Sequence, residues 1–157
     1  ILNPVHFGRA GLAQIVERLG PLPPAAQRLA GRFWPGPLTI LVPAPRGLAP
    51  GISAGTGRVG VRVPAHDVAR AICRAAGGPV TATSANRSGV PAVADPDEVE
   101  RTLGAYLDLL IDAGRTPGGA PSTIVAIEDE APRLVRAGAV SWDEVRACLA
   151  AFIGPEA

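Results

Sequence analysis

The stretch from Arg58 to Gly89, RVGVRVPAHDVARAICRAAGGPVTATSANRSG, limits the possible folds more than any other part of the chain. Val59, Val61 and Val63 alternate as a half-buried strand requires, and Pro64 ends the run because proline cannot extend a ladder. Val68, Ile72 and Ala75 then fall one helical turn apart, and Gly77 with Gly78 supplies a C-terminal stop. Pro79 to Ser84 suits a short buried strand. Strand, helix and strand within about 27 residues predict a βαβ unit with a right-handed crossover. The second strand ends in Thr83, Ser84 and Asn86, small polar groups at a sheet exit, where α/β proteins hold ligands.

The rest of the chain reads as further elements of one sheet with flanking helices. Ile1 to Gly8 is an edge strand or a loop, since Pro4 removes a donor. Leu12, Ile15, Val16 and Leu19 mark a helix stopped by Gly20, and a second helix starts at Pro23 or Pro24 and runs toward Phe33 and Trp34. RFWPGPLTILV leads from two aromatics through a turn into a strand. The plain reading has Phe33 and Trp34 plugging the core; the alternative is a platform for a stacked base. Residues 43 to 57, rich in proline and glycine, predict a mobile loop that could act as a lid.

Beyond Gly89, Asp95, Pro96 and Glu98 predict a helix start, with the helix ending near Gly104. Tyr106 to Ala113 reads as a strand, and GRTPGGAP as a loop whose glycines allow close approach to a ligand. Strands follow at Ser122 to Ile127 and around Arg133 to Val135, then a helix opened by a Ser141 and Glu144 capping box and running through Leu149.

Composition narrows the function. A length of 157 residues and a hydrophobic fraction of 47% favour one domain with one core. A net charge of +1 gives no global field toward nucleic acid, so RNA binding would need arginines gathered on one face. Every basic residue is arginine, so no mechanism can draw on a lysine of this chain. Cys73 and Cys148 sit in helical patterns without ligand spacing and read as reduced and buried. No apolar run is long enough to span a membrane and no signal peptide is visible, which makes the cytoplasm the expected compartment.

Arg62, Ser84, Asn86, Ser122 and Arg136 all stand at strand ends beside glycine. Arginine's planar fork matches carboxylate and phosphate, and serine and asparagine can hold phosphate oxygens or an amide. The set suggests an anion pocket, set against the plainer reading of surface arginines and turn-forming serines. No P-loop, GxGxxG, Ser/His/Asp order or metal spacing decides further.

RFWPGPLTILV, VGVRVPAH, TATSANRSG, GGAPSTIV and LVRAGAV, in that order, resemble the YrdC-like threonylcarbamoyl-AMP synthase family, and NPVH at residues 3–6 is similar to a shortened N-P-L-x-V-H segment. The resemblance implies an α/β fold with a twisted, mixed open sheet and flanking helices, the YrdC-like or DHBP-synthase-like architecture. It implies one such domain over residues 1–157, without the family's opening T-x-Y-G-L and K-x-R segments, and therefore a chain that could be inactive alone. The implied reaction joins L-threonine, bicarbonate and ATP into threonylcarbamoyl-AMP with release of pyrophosphate, a nucleotidyl transfer with a magnesium ion assisting. The product feeds tRNA modification through a threonylcarbamoyl transferase complex, and tRNA itself is a possible ligand.

Carried over by position, the resemblance puts Asn3, Arg58, Ser84, Asn86, Ala92 and Arg136 at the nucleotide, and His6, Arg62, Ala82 and Ser122 at threonine. Arg62 is the natural partner for the threonine carboxylate. Ala82 and Ala92 would act through backbone only. The family's related readings are a carbamoyl-adenylate-forming domain of a carbamoyltransferase and a noncatalytic RNA-binding module.

Overall fold

The computed structural model describes residues 5–6, 11–53, 55–87 and 89–150. The backbone forms two compact units, Ile1–Ala82 with Ala120–Ala157, and Thr83–Gly119.

The larger unit is built on a mixed sheet of six strands: β1 (Val5–His6), β2 (Leu38–Pro43), β3 (Arg58–Arg62), β4 (Val80–Thr81), β5 (Thr123–Glu128) and β6 (Ala131–Arg136). Their order across the sheet is β4-β1-β3-β2-β5-β6. β1 runs parallel to β3, and β2 parallel to β5, while the β4–β1, β3–β2 and β5–β6 pairs are antiparallel. The expected mixed sheet is present, but the expected βαβ unit is not. β1 lies between β3 and β4, and β4 is antiparallel to both, so the helix between them, α4 (Asp67–Ala75), makes no parallel crossover. Strand and helix periodicity identify elements, yet pairing partners come from distant sequence, here from residues 5 and 6.

Alternation divides the sheet into two faces. Leu38, Ile40 and Val42 of β2, Val59, Val61 and Val63 in and just past β3, and Val125 and Ile127 of β5 enter the main core. Helices α1 (Gly11–Leu19), α2 (Pro24–Phe33) and α6 (Trp142–Ala150) supply Ile15, Leu29, Val145 and Leu149 to the same core. Nine of the side chains in this layer, Ile15, Leu29, Leu38, Ile40, Val42, Val59, Val61, Val125 and Val145, have less than 2% of their surface exposed, which makes this layer the anchor of the fold. Phe33 and Trp34 are half-buried against it, and the Trp34 indole donates to the Leu38 carbonyl at 2.6 Å, in keeping with a core role.

The helix ends follow local chemistry. Proline opens α2, and the carboxylate of Glu130, from the β5–β6 turn, accepts from the Ala25 amide at 2.9 Å. Asp129 and Glu130 both have positive φ, the geometry of a tight two-residue hairpin turn. Ser141 and Glu144 form the reciprocal capping box at α6: Ser141 N–H donates to Glu144 at 2.9 Å and Glu144 N–H to Ser141 at 3.2 Å. The segment expected as a mobile loop has contacts with the core among its described residues. Leu48 and Ile52 pack against the core, the latter on a four-residue helix α3 (Pro50–Ser53), and Ala44 N–H donates to Gly57 at the loop base.

Thr83–Gly119 contains α5 (Pro96–Leu103), capped by Asp95, whose carboxylate accepts from Asp97 N–H at 3.0 Å. A short 3₁₀ turn, Gly104–Tyr106, follows. The expected strand from Tyr106 to Ala113 is absent, and Tyr106, Leu109 and Ile111 are exposed. A strand exists by pairing, and no other described segment of this unit is a strand to pair with it.

Candidate functional site

The alternation that sends Val59, Val61 and Val63 into the core turns Arg58, Gly60 and Arg62 to the opposite sheet face. On β2 and β5 that face carries Thr39, Leu41, Ile124, Ala126 and, just before β5, Ser122. Its centre is a small apolar patch of Leu41, Ile124 and Ala126, with polar groups at both ends.

At one end stand Arg62, Ser122 and Arg136. The half-buried Arg62 donates from Nε to the Gly36 carbonyl at 2.9 Å, which fixes the guanidinium plane. Its pKa lies below the ordinary arginine value, first because burial removes water from the cation and second because Arg136 is positive nearby. Two guanidinium groups held close enough to oppose each other define a place where an anion is favoured.

Arg136 reaches this face through a bulge. In the β5–β6 ladder Val125 pairs with Leu134 and Ile124 with Arg136, so Val135 is an extra residue. In a regular ladder Arg136 would share a face with Leu134; the bulge moves it to the face of Ile124. There its Nη2 donates to the Ser122 carbonyl at 2.6 Å and to the Ser122 hydroxyl at 3.2 Å, and its Nε also points at that carbonyl, at 3.2 Å. Ser122 is 8% exposed, and its hydroxyl also meets that of Thr39 at 2.9 Å.

Backbone from residues 34–39 and 136–140 holds these groups. Gly36 N–H donates to Val63, Thr123 N–H to the Pro37 carbonyl, and Ala139 N–H to Pro121. The Trp34–Pro35 peptide is cis. Gly138 lies directly on Ser122: a Cβ there would be 2.2 Å from the Pro121 oxygen and 2.6 Å from the Ser122 carbonyl carbon. Thr123 locks the same segment, its hydroxyl donating to the Val140 carbonyl at 2.5 Å and accepting from Val140 N–H at 3.0 Å.

The structure thus brings Arg62, Ser122 and Arg136 together and sets Arg58 apart. Arg58 opens β3 at the far end from Arg62, about 13 Å along the strand, and lies 3.7 Å from Glu128. Glu128 also accepts two hydrogen bonds from Arg133, which hold its carboxyl below the ordinary range. His6 pairs in register with Arg62 on the neighbouring strand, and Ala82 is half-buried just past β4. Asn3 falls outside the described residues.

Ser84, Asn86 and Ala92 belong to the other unit. Ser84 and Ala92 are exposed. The Asn86 amide donates to the carbonyls of Arg87 at 3.1 Å and Val90 at 2.7 Å, and its buried Oδ1 has no partner among the described residues. An oriented, unsatisfied acceptor suits a ligand N–H.

Gly36, Gly138 and Thr39 were not expected from sequence. The period-two pattern of β2 could have pointed to Thr39, the one polar side chain in LTILV. Among the described residues no group of three or more His, Cys, Asp or Glu could hold a metal ion, so they do not offer a protein cage for the expected magnesium. Cys73 and Cys148 form no disulfide; Cys73 is buried, which raises its pKa, and Cys148 is half-buried.

A mixed sheet whose helix-packed face forms the core and whose other face gathers Arg62, Arg136, Ser122 and Thr39 defines a protein of the α/β class. The Sua5/YciO/YrdC family model, described as telomere recombination, matches residues 4–138, and the chain belongs to that family. It is 36% identical over 154 residues to the threonylcarbamoyl-AMP synthase of Bacillus subtilis strain 168, covering 98% of this chain and 43% of the relative. The crystal structure of P. abyssi Sua5 complexed with L-threonine superposes with a TM-score of 0.81 at 31% identity, over 94% of this chain and 43% of that one. E. coli YciO, at 24% identity and a TM-score of 0.76 over 90% of this chain and 69% of its own, shares the fold. The chain therefore spans less than half the length of the first two of these proteins.

Proposed function

We propose that this chain carries the threonine and nucleotide sites of an L-threonylcarbamoyl-AMP synthase. The observation that supports this most directly is Arg62, desolvated, held by Gly36 and opposed by Arg136. A bound carboxylate would relieve both the desolvation and the repulsion, and its two oxygens suit the edge of the guanidinium not used on Gly36. P. abyssi Sua5 crystallised in complex with L-threonine, and the relatives' names favour the synthase over a carbamoyltransferase or an RNA-binding module.

In this reading Arg62 and Ser122 hold threonine, with His6 and the Ala82 backbone beside it. Nucleotide-contact roles are proposed for Ser84, Asn86 and the Ala92 backbone in one unit and, taken by themselves, for Asn3 and Arg136 in the other, Arg136 toward the phosphates. Arg58, engaged with Glu128, would have to exchange that partner to reach the nucleotide. The threonine amine attacks the carbon of bicarbonate and hydroxide leaves as water, giving a carbamate. A carbamate oxygen then attacks the α-phosphorus of ATP and pyrophosphate departs, which makes the reaction a nucleotidyl transfer. The protein's part is orientation and charge, with no protein nucleophile. The adenylate would pass to a tRNA threonylcarbamoyl transferase complex in the cytoplasm; no described helix is long and apolar enough to cross a membrane.

Pyrophosphate release from ATP tests the reading, measured in the full-length gene product with and without L-threonine and bicarbonate. Release that requires both is expected. Release indifferent to L-threonine, or supported by carbamoyl phosphate in its place, would overturn it.

A further inference from the structure

We infer that Thr39 is a positioning residue that sets the polarity of the Ser122 hydroxyl, forcing it to act toward the ligand as a hydrogen-bond donor. This rests on the reading of Ser122 as a threonine contact.

A serine hydroxyl has one proton and two acceptor positions. The Ser122 oxygen accepts from Arg136 Nη2 at 3.2 Å, a direction that cannot reverse because a guanidinium only donates. The remaining contact, to Thr39 at 2.9 Å, could run either way on geometry alone. Burial decides it. Thr39 is 1% exposed, and among the described residues its hydroxyl has no hydrogen-bond partner other than Ser122. Were Ser122 the donor, the Thr39 proton would be buried with no acceptor, the costly arrangement that native interiors avoid. With Thr39 as donor its proton is satisfied, both acceptor positions of Ser122 are filled, and the proton left over is on Ser122, the less buried of the two at 8% against 1% exposed, where a ligand can take it.

The consequence is selectivity by polarity. Ser122 offers the ligand a proton and no free lone pair, so it favours an acceptor such as a carboxylate or hydroxyl oxygen and disfavours an amide N–H or ammonium at the same point. Arg62 and Arg136 also offer only donors, so the three side chains at this end of the face all favour an acceptor. Thr39 lies on β2, and its strand pairs directly with β5, which carries the Ser122 segment, so the order is set by rigid sheet and not by a loop.

Two measurements test this. The first is neutron diffraction from deuterated crystals of the protein, which locates the deuteron on the Thr39–Ser122 axis whether or not a ligand is bound. It is expected on Thr39 Oγ1; a deuteron on Ser122 Oγ overturns the inference. The second is calorimetric titration of wild type, Thr39→Val and Thr39→Ser with L-threonine and, separately, with ATP. Thr39→Val is expected to weaken L-threonine about tenfold while ATP affinity stays within about twofold, and Thr39→Ser to restore threonine binding. Equal loss for both ligands, or failure of Thr39→Ser to rescue, would reduce Thr39 to a packing role and overturn the inference. If the deuteron sits on Thr39 but wild type binds no L-threonine, the proton order stands and the synthase reading fails.

Discussion

Arg136 stands opposite Ile124 across the β5–β6 ladder, although regular pairing from Leu134 and Val125 would have set Val135 there. The extra residue puts the guanidinium on the ligand face, where Nη2 bridges the carbonyl and hydroxyl of Ser122. A lysine has a single point of charge and no planar fork. Arg136→Lys should therefore lower pyrophosphate release by at least about tenfold, with the circular dichroism spectrum unchanged. Wild-type turnover in this variant would remove Arg136 from the site.

Arg62 is held by one edge on Gly36, and among the described residues the other edge has no partner, which suits a carboxylate. Arg62→Lys keeps the charge and loses both functions, so L-threonine affinity measured by calorimetry should fall by about tenfold or more, ~1.4 kcal/mol. An unchanged affinity would place the carboxylate elsewhere.

Gly138 is required by contact, not by dihedral angle. An alanine Cβ would meet the Pro121 oxygen at 2.2 Å and the Thr123 nitrogen at 2.5 Å, both rigid backbone. Gly138→Ala should cost ~2 kcal/mol or more in urea unfolding, and weaken L-threonine binding through the displaced Ser122. A fully stable variant with native binding would show that the 121–123 segment can move freely.

Glu130 reaches from the hairpin turn to the first turn of α2, where its carboxylate accepts from Ala25. Losing an acceptor at a helix start costs ~1 kcal/mol. Glu130→Ala should lower the urea midpoint accordingly, and Glu130→Gln, which keeps an oxygen, should lower it less. Equal midpoints for all three proteins would mean that water serves Ala25 as well.

Acid should weaken the fold through Glu128 and Glu144. Hydrogen bonds from Arg133 and from Ser141, respectively, hold both carboxyls below the ordinary glutamate value in the folded protein. A lowered folded value means that their stabilisation is complete above the ordinary glutamate pKa and is lost as pH falls through the folded one. Melting temperature should decline across that interval, and Glu128→Gln with Glu144→Gln should flatten the decline. A double variant with the wild-type slope would assign acid sensitivity to other carboxylates.

Much was legible in order along the chain. Period-two valines marked β3 and, by the same count, placed Arg58 and Arg62 on its other face. Proline and the serine–glutamate box marked the starts of α2 and α6, because capping is settled within one turn of helix. Ser122 and Arg136 were identified as candidates from residue type and family motif, yet nothing local said how they meet.

What sequence by itself determined is therefore periodicity, capping and the chemical kinds of group available, since each depends on residues a few positions apart. Only tertiary structure decided which strands pair and which side chains share a face. The two-residue strand at Val5–His6 separates β3 from β4 and cancels a crossover that local pattern predicted. The strand expected at Tyr106 to Ala113 did not form, because a strand has no stability without a partner for its backbone groups. A single unpaired residue, Val135, set the facing of Arg136, because side chains in a sheet alternate and one insertion reverses every position beyond it.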